Sequence, residues 1–340
     1  MLRHATFATR LEACPASVAS AEGTITAIGT QLGHQRINQR LPQSRPTVGA
    51  MHSKKIGEHK GFLAITTEAF LDTPMDLQLN EKTALVTGSD RGTGQVIAAT
   101  LAREGARVIL HGNDSAAHQT LASEASKLSD SALAVSGDIS TEAGTRQVVD
   151  AIEAQGLCVD ILVNNYGTAG AGSWTQSNSE DWLEMYQRNV LSGVRLTQAF
   201  CGAMKEKRWG RIVNLGTIGS HQPNSIMPHY YASKGALATA GVSLAKELSG
   251  TGITVNTVSP GLIHTEEVEA GYRKRAAKKG WGDDWDSILK NIVKYDYPNP
   301  SARLATREEV ADLVAFLCSP RAGFINGENI RVDGGAVRYV

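Results

Sequence analysis

The sequence lacks the features that mark several classes of protein. Its 340 residues include only four cysteines and no CxxC pair, so we expect neither a disulfide framework nor a metal site. No segment approaches the roughly 18 consecutive apolar residues that a membrane-spanning helix needs. The 34 basic and 34 acidic residues balance, which leaves no positive surplus for binding nucleic acid. A hydrophobic content of 41% argues against disorder, and the scarce cysteines favour a reducing compartment.

Lysine and acidic residues are scarce at the amino-terminal end. Residues 1–50 contain five arginines, no lysine and two acidic residues, and show no sustained helix or strand period. Such a start is typical of an organellar transit peptide, but a disordered extension or an upstream start codon is also open, because Met75 begins a domain-like segment. We therefore divide the chain into an extension, 1–74, and one domain, 75–340. The expected compartment is the cytoplasm, or a mitochondrion or plastid if the extension is a transit peptide.

From residue 82 onward, short β-branched runs alternate with longer helical stretches. Most of these runs are apolar throughout, which is typical of parallel strands covered on both faces. The first helical stretch is Gln95–Glu104, and Gly105 would end it. Repeated strand–helix–strand units predict an α/β fold with a doubly wound, mostly parallel seven-stranded sheet and helices on both faces. The predicted strands are Thr83–Thr87, Arg107–His111, Ala132–Ser136, Asp160–Asn164, Arg211–Leu215, Thr254–Val258 and Asn329–Val332.

A glycine-rich turn, Thr87–Gly94 (TGSDRGTG), follows the first predicted strand. Glycines let the backbone turn tightly and approach a pyrophosphate closely. The helix that follows would offer free N–H groups and a partial positive charge to the phosphates. By itself, such a turn can also be an ordinary connection between a strand and a helix.

A tyrosine and a lysine stand four residues apart in the segment Tyr230–Lys234 (YYASK). Residues at i and i+4 share one face of a helix. A phenol titrates near pH 10 and is a poor acid or base at neutral pH, but a nearby ammonium favours the phenolate and lowers that pKa. The pair could then deliver or remove the proton of a carbonyl-derived oxygen. Tyr231 is a competing phenol at i, i+3 from the lysine.

These segments together resemble the short-chain dehydrogenase/reductase family of Rossmann-fold oxidoreductases, in particular its 3-oxoacyl-reductase-like members. The TGxxxGxG turn and YxASK carry the resemblance, which spans roughly residues 80–336. It implies hydride transfer between NADP(H) and a ketone or secondary alcohol of a small molecule, with Tyr230 as general acid/base. It also implies a homo-oligomer, a dimer or tetramer. The alternative is a cofactor-binding sensor or scaffold of the same fold that has lost turnover.

The resemblance implies a catalytic set of Asn189, Thr217, Tyr230 and Lys234. Asn189 would position a water that links the lysine to bulk solvent. Thr217 stands where most members carry a serine that hydrogen-bonds the substrate carbonyl, with Ser220 as the fallback. The plain structural alternatives are a buried amide for Asn189 and a locally bonded strand-end hydroxyl for Thr217.

The resemblance also implies contacts to the cofactor along the strand ends. Asp138 would accept from the adenine amino group while Ile139 packs on the ring, although a short Asp there could also be a helix N-cap. The backbone at Ile263 and the hydroxyl of Thr265 would hold the nicotinamide carboxamide. The full set is Gly88, Arg91, Gly92, Gly94, Asn113, Asp138, Ile139, Asn165, Gly167, Tyr230, Lys234, Pro260, Gly261, Ile263 and Thr265.

The choice between NADP(H) and NAD(H) depends on the end of the second strand and on the glycine turn. Gly112 and Asn113 stand where the family often has Asp for NAD or Arg for NADP. Arg91 resembles the basic residue of NADP-preferring members and could bind a phosphate as a fork. We therefore expect NADP(H) to be preferred and NAD(H) to remain possible. Tyr166 replaces the alanine of the family's Asn-Asn-Ala-Gly and puts a large ring beside the cofactor.

Between about 265 and 300 the chain is rich in aromatic residues and carries a basic run, Arg273–Arg275. In this fold a substrate sits above the carboxyl ends of the strands, beneath such a segment. We expect a small helical lid whose aromatic side chains line the pocket. The alternative is that the tryptophans pack the lid onto the body. The candidate pocket residues are Trp174, His221, Trp281 and Trp285.

Overall fold

The computed structural model of the protein describes residues 75–114 and 118–338, so the expectation for residues 1–74 lies outside the described residues. The strands in these residues are β1 (Thr83–Val86), β2 (Arg107–Gly112), β3 (Leu133–Ser136), β4 (Ile161–Asn164), β5 (Gly210–Leu215), β6 (Ile253–Pro260) and β7 (Asn329–Val332). They form one sheet in the order β3-β2-β1-β4-β5-β6-β7, and each neighbouring pair is parallel. The predicted seven-stranded sheet is therefore confirmed.

Helices connect the strands. They are α1 (Gly92–Arg103), α2 (His118–Leu128), α3 (Glu142–Glu153), α4 (Ser179–Tyr186), α5 (Ser192–Lys207), α6 (Pro228–Glu247), α7 (Glu266–Lys279), α8 (Trp285–Asn291) and α9 (Arg307–Cys318). Two π-helical turns follow α4 and α8, at Gln187–Leu191 and Ile292–Asp296. In the described part of the chain, none of the helices combines the length and the apolar character that crossing a membrane requires.

Both faces of the sheet are covered by helices. Ala84 and Val86 of β1 pack with Ile97 and Leu101 of α1, in a core that α2 and α9 complete. Leu85 points to the opposite face, into a second core built with residues of α3, α5 and α6. Because successive side chains of a strand alternate between the two faces, both sets must be apolar, which explains the unbroken apolar runs.

The predicted elements and the observed ones differ mainly at their ends. Strand β6 continues two residues beyond the predicted Val258, to Pro260. Helix α1 begins at Gly92 instead of Gln95, because the glycine turn itself supplies the first helical turn. The helix ends at Arg103, and Gly105 follows with φ +94°, as expected of a glycine that stops a helix.

The carboxyl ends of the strands form the edge at which the candidate site lies. β1 lies between β2 and β4. The strands β2 and β3 extend the sheet on one side of β1, and the strands β4 to β7 extend it on the other side. The loops that follow β1 and β4 diverge at this point and leave a crevice, which is where open parallel sheets bind ligands.

A helical segment follows β6, where the lid was predicted. It consists of α7, α8 and the π-helical turn, and it has a small core of its own around Ala276, Ile288 and Ile292. The hydroxyl of Tyr297 donates to the backbone oxygen of Asp333 at 2.8 Å. This bond ties the end of the segment to the residue after β7.

Candidate active site

The glycine turn has the backbone geometry of a phosphate-binding loop. Gly88 and Gly92 have φ of +59° and +62°, in the left-handed region that favours glycine. A Cβ on Gly94 would overlap the carbonyl oxygen of Gly88 and the amide nitrogen of Asn165. Arg91 is the N-cap residue of helix α1, and no side chain caps the first N–H groups of the helix. Those N–H groups are therefore available to an anion.

Asn165, the residue that follows strand β4, fixes the glycine turn through side-chain hydrogen bonds. Its Nδ2 donates to the backbone oxygens of Thr87 and Gly88, at 2.9 Å each. The backbone N–H of Tyr166 donates to the Thr87 hydroxyl at 2.9 Å. The predicted cofactor residue Asn165 thus acts on the shape of the turn through its side chain.

The residues predicted to contact the adenosine end lie together. Asp138 accepts hydrogen bonds from the backbone N–H and hydroxyl of Ser140, at 3.0 and 2.6 Å. Burial raises the pKa of Asp138, but the hydrogen bonds from Ser140 and Asn113 outweigh it and leave the pKa below its usual value. The N-cap alternative for Asp138 is wrong, because Thr141 caps α3. Ile139 is buried.

Arg91 and Tyr166 have further contacts beside the glycine turn. Arg91 is exposed, and its charge contributes to a lowered pKa of Glu267 on the lid, after hydrogen bonds from the Glu267 backbone and Thr265. The ring of Tyr166 packs edge-on against the buried ring of His111, with centroids 6.3 Å apart. The large ring that replaces alanine is thus accommodated against β2.

Asn189 lies in the π-helical turn Gln187–Leu191, between α4 and α5. Its Oδ1 accepts from the backbone N–H of Thr168 at 2.9 Å, and its Nδ2 donates to the oxygen of Thr168 at 3.1 Å. Nδ2 also lies 3.1 Å from the hydroxyl of Ser233 on α6. The helical path continues from α4 through this turn into α5. Such turns are frequent at functional sites.

Gly167, Asn189 and Lys234 converge at the end of β4. A Cβ on Gly167 would overlap the Asn189 Oδ1 and lie 3.2 Å from the Lys234 Nζ. The Lys234 ammonium is buried and donates to the backbone oxygen of Leu215 at 2.7 Å. Burial lowers the pKa of Lys234 to about 8.

The Thr217 hydroxyl acts on the Tyr230 phenol, because hydrogen bonding from Thr217 lowers the pKa of Tyr230. Thr217 also accepts from the backbone N–H of Gly219 at 3.2 Å, so its local bond and its place beside the phenol coexist. Ser220, the fallback, donates to the backbone oxygen of Thr217 at 2.7 Å. The geometry therefore favours Thr217 over Ser220 as the hydroxyl nearest the phenol.

The pKa of Tyr230 differs from the expectation. Burial raises it to about 12, although the hydrogen bond from Thr217 lowers it. A lysine ammonium was expected to lower this pKa, but that ammonium is itself destabilised by burial and is bonded to Leu215. Burial is the largest influence on the pKa of each of the two groups.

The predicted nicotinamide segment runs from Pro260, the end of β6, to the start of α7. Ile263 forms an isolated parallel bridge with Ala305, and Thr265 caps α7 by accepting from Val268 N–H at 3.2 Å. A Cβ on Gly261 would overlap the Tyr297 hydroxyl. Close approach of the lid therefore requires glycine at this position.

A cavity of about 620 Å³ opens beside the Thr217 and Tyr231 side chains. Its other wall comes from the lid and includes Tyr272, Arg275 and the segment Tyr295–Pro298. Tyr231, treated in the sequence as a competing phenol, accepts a hydrogen bond from Asn224 at 3.0 Å and belongs to this wall. The aromatic richness of residues 265–300 signalled the lid tyrosines, but not which of its side chains face the cavity.

The four candidate pocket residues lie elsewhere. Trp174 is 72% exposed and packs on Trp182, with ring centroids 5.2 Å apart. The Nε2 of His221 lies 2.9 Å from the amide of Asn329. Neither Trp174 nor His221 lines the cavity described above, and neither does Trp281 or Trp285.

The two lid tryptophans belong to the small core of the lid. The rings of Trp285 and His264 stack nearly parallel, with centroids 4.8 Å apart. The guanidinium carbon of Arg273 lies 5.6 Å from the centroid of the Trp285 ring. Trp281 lies under Arg275, at 5.7 Å. The packing alternative describes both side chains better than the pocket prediction.

The residues present fit a dinucleotide cofactor. The turn offers uncapped N–H groups and positive-φ glycines for a pyrophosphate. At the adenosine end, the buried Oδ1 of Asn113 has no hydrogen-bond partner and could accept from a ribose hydroxyl. At the other end, the Lys234–Tyr230–Thr217 group stands beside the cavity.

Known proteins share this arrangement. A family model described as enoyl-(acyl carrier protein) reductase matches residues 88–337. The chain is 36% identical over 269 residues to the uncharacterized oxidoreductase YvaG of Bacillus subtilis strain 168, covering 78% of this chain and all of that protein. It is 34% identical to the 3-oxoacyl-[acyl-carrier-protein] reductase FabG of Escherichia coli K12, over 75% of this chain and 96% of FabG.

Solved structures resemble the fold closely. The L-sorbose reductase of Gluconobacter frateurii, complexed with NADPH and L-sorbose, has a TM-score of 0.72 and 31% identity, covering 78% of this chain and all of that one. A 3-oxoacyl (acyl-carrier-protein) reductase of Agrobacterium tumefaciens C58 with NADP bound has a TM-score of 0.67 and 29% identity, covering 81% and 99%.

Proposed function

Because the chain belongs to the short-chain dehydrogenase/reductase family of NAD(P)-dependent oxidoreductases, we propose that it transfers a hydride between NADP(H) and the carbonyl carbon of a ketone, or back from the corresponding secondary alcohol. The observation that carries this proposal is that Thr217 lines the cavity and that its hydroxyl acts on the phenol of Tyr230. This pairing supports a role for Tyr230 as proton donor and for Thr217 as a second hydroxyl at the same carbonyl oxygen.

The chain's own residues divide the work. Thr217 donates a hydrogen bond to the substrate carbonyl oxygen, and Tyr230 delivers the proton that this oxygen needs as the carbonyl becomes an alcohol. The high pKa of Tyr230 keeps the phenol protonated at neutral pH, the form required for reduction. NADP(H), when bound, supplies the hydride to the carbonyl carbon or accepts it in the reverse direction.

Lys234 and Asn189 would help to return a proton to the Tyr230 phenol. The Lys234 pKa of about 8 lies near neutrality, so this group can exchange protons under working conditions. Asn189 fixes the loop residue Thr168 and reaches Ser233, the residue next to the lysine. These contacts support the proposal that Asn189 orders the path by which Tyr230 is reprotonated.

The proposed preference for NADP(H) is supported by Arg91 and by the absence of an acidic residue at Gly112 and Asn113. A solved relative is described with NADPH and another with NADP. We place the enzyme in the cytoplasm, where its cysteines would stay reduced. We also propose that it forms a dimer or tetramer, which light scattering after size-exclusion chromatography would test.

The test is NADPH consumption with a panel of ketones, for the wild type and for Tyr230→Phe. The variant keeps the ring and removes the proton donor, so kcat should fall by about 10²–10⁴ while the Kd of NADPH stays within about twofold. NADPH fluorescence titration checks the second half of the expectation.

Phe324→Ala is the matched control, because this aromatic side chain is fully exposed and far in sequence from the motif. It should leave kcat unchanged. Substantial turnover by Tyr230→Phe would rule out the assigned proton donor, and no turnover of any ketone or alcohol by the wild type would contradict the enzyme proposal.

A further inference from the structure

The lid wall of the cavity contains one ion pair. The Nη2 of Arg275 on α7 lies 2.9 Å from the Oδ1 of Asp296, the last residue of the π-helical turn. Both residues line the cavity. Burial raises the pKa of the neighbouring phenol Tyr272, Asp296 raises it further and Arg275 lowers it, so both charges act on this hydroxyl.

Only one of the two oxygens of the Asp296 carboxylate has a hydrogen-bond partner. Its side chain is 13% exposed, and the second oxygen, Oδ2, is buried without a hydrogen-bond partner. A buried acceptor of this kind, above all a charged one, costs free energy until a donor reaches it. A structural ion pair between the two lid elements would use Oδ1 and has no need of a second, unpartnered oxygen.

The cavity wall carries no net charge. Arg275 and Asp296 are its charged residues, and they neutralise each other. The rest of the wall is rich in groups that hydrogen-bond, notably Asn224 and the phenols of Tyr231 and Tyr295. A carboxylate substrate would have to compete with Asp296 for Arg275, and a long acyl chain would offer no donor to the Asp296 Oδ2.

We propose that the substrates of this site are neutral ketones that carry hydroxyl groups beside the carbonyl, and that the Asp296–Arg275 pair selects them. This inference rests on the proposed oxidoreductase function. A substrate hydroxyl donates to the Asp296 Oδ2, while the Arg275 guanidinium, bonded to Oδ1, holds the carboxylate in place. Asp296 is then a specificity-determining residue that contacts the substrate.

The experiment compares three compounds with the same four-carbon skeleton: erythrulose, which is hydroxylated and open-chain, 2-butanone, which has no hydroxyl, and 2-oxobutanoate, which is anionic. The measured quantity is the ratio of kcat/KM for erythrulose to that for 2-butanone. We expect the wild type to prefer erythrulose strongly. Asp296→Asn should reduce the ratio about ten- to hundredfold, the effect of losing a hydrogen bond to a charged group.

Three further variants separate selection from lid stability. Arg273→Met removes an ion pair of the same kind on the same helix, with Glu269, outside the cavity wall. It should leave the ratio unchanged. Arg275→Lys keeps the charge and should retain most of the ratio, whereas Arg275→Met should lose it. A merely structural pair would change kcat/KM for both ketones equally, which would overturn the proposal.

Other outcomes are equally decisive. Equal efficiency with erythrulose and 2-butanone, or a preference for 2-oxobutanoate, refutes the substrate class and leaves the oxidoreductase function standing. If no carbonyl is turned over, the proposed function fails, and binding becomes the test. Saturation-transfer NMR should then show erythrulose bound to the wild type and lost in Asp296→Asn. Absence of this difference refutes the inference as well.

Discussion

Lys234 is a buried amine with a pKa pulled down to about 8 because its charged form loses hydration inside the protein. A lysine in the unfolded chain titrates near 10.4. Between about pH 8 and 10.4 the unfolded chain therefore holds more protons at this residue than the folded chain. The free energy of unfolding must rise with pH across that window.

This linkage predicts the behaviour of Lys234→Met. From pH 7 to 9.5 the wild type should gain on the order of 1–2 kcal/mol from this residue, a gain that the variant lacks. The window stops below pH 10, where the raised pKa of Tyr230 acts in the opposite direction, because the unfolded phenol ionises first. Urea unfolding at several pH values measures the difference.

The control is Lys278→Met, which removes an exposed lysine of α7. Its stability should follow the wild-type pH dependence. If Lys234→Met follows it too, the lysine is not held with a depressed pKa in solution.

The identities of the candidate site residues could be predicted from the sequence, but the directions of their pKa shifts could not. Tyr230 and Lys234 could be located because YxASK and the spacing from the glycine turn are local features of the sequence. The raised pKa of Tyr230 depends on its burial in the folded protein, which the packing of several elements produces. No local pattern reports that desolvation.

The contact between the β4 loop and the π-helical turn belongs to the scale of elements. Gly167→Ala would place a methyl group against the Asn189 amide and the Lys234 ammonium, in a space that contains only glycine's hydrogens. We expect kcat to fall at least tenfold and the thermal midpoint to fall by several degrees. Activity assays and calorimetry on the same preparation measure both.

Gly202→Ala is the matched variant, because a Cβ at this position in α5 meets nothing within 4 Å. Alanine is the better helix former, so stability should stay the same or rise by up to about 1 kcal/mol. If Gly167→Ala keeps its activity, the β4 loop and the π-helical turn move apart easily enough to accept the methyl group, and the prediction is wrong.

The lid is joined to the nicotinamide segment by the stack of Trp285 on His264. Trp285→Ala should loosen the segment that precedes α7 and raise the Kd of NADPH several-fold, because residues 261–265 would be held less firmly. Fluorescence titration measures the Kd. Trp281→Ala removes the other lid tryptophan without touching His264 and should change it less; equal effects would indicate a general loss of lid structure.

The strands were predictable and the lid's orientation was not. Strands β1 and β4 are buried and mostly apolar on both faces, so their apolar runs locate them to within one residue at each end. Helix α7 is mostly exposed, with Ala276 as its buried residue, and has no apolar period to show which side faces inward. The π-helical turn around Asn189 likewise has no sequence signature.

At the scale of the whole molecule, all the described elements of the sheet and the site come from residues 75–338. A chain that begins at Met75 should therefore retain the thermal midpoint and the kcat/KM of the full chain. Removal of residues 1–80 should not, because it also removes Leu77 and Leu79, which pack in the core of α1 and α9.

The loss of the fully buried Leu79 alone should cost about 1.5–3 kcal/mol. Calorimetry and steady-state kinetics on the two truncated chains test this boundary. A marked loss of activity on removal of residues 1–74 would show that the extension takes part in function.

The bond from Tyr297 to Asp333 has a practical consequence for anyone who handles this protein. Asp333 also accepts from the backbone N–H groups of Gly335 and Val337, and Ala336 lies in the cavity wall. We expect an affinity tag or reporter inserted directly after Val337 to disturb that wall and to alter the measured substrate preferences. Fusions are better placed ahead of Met75.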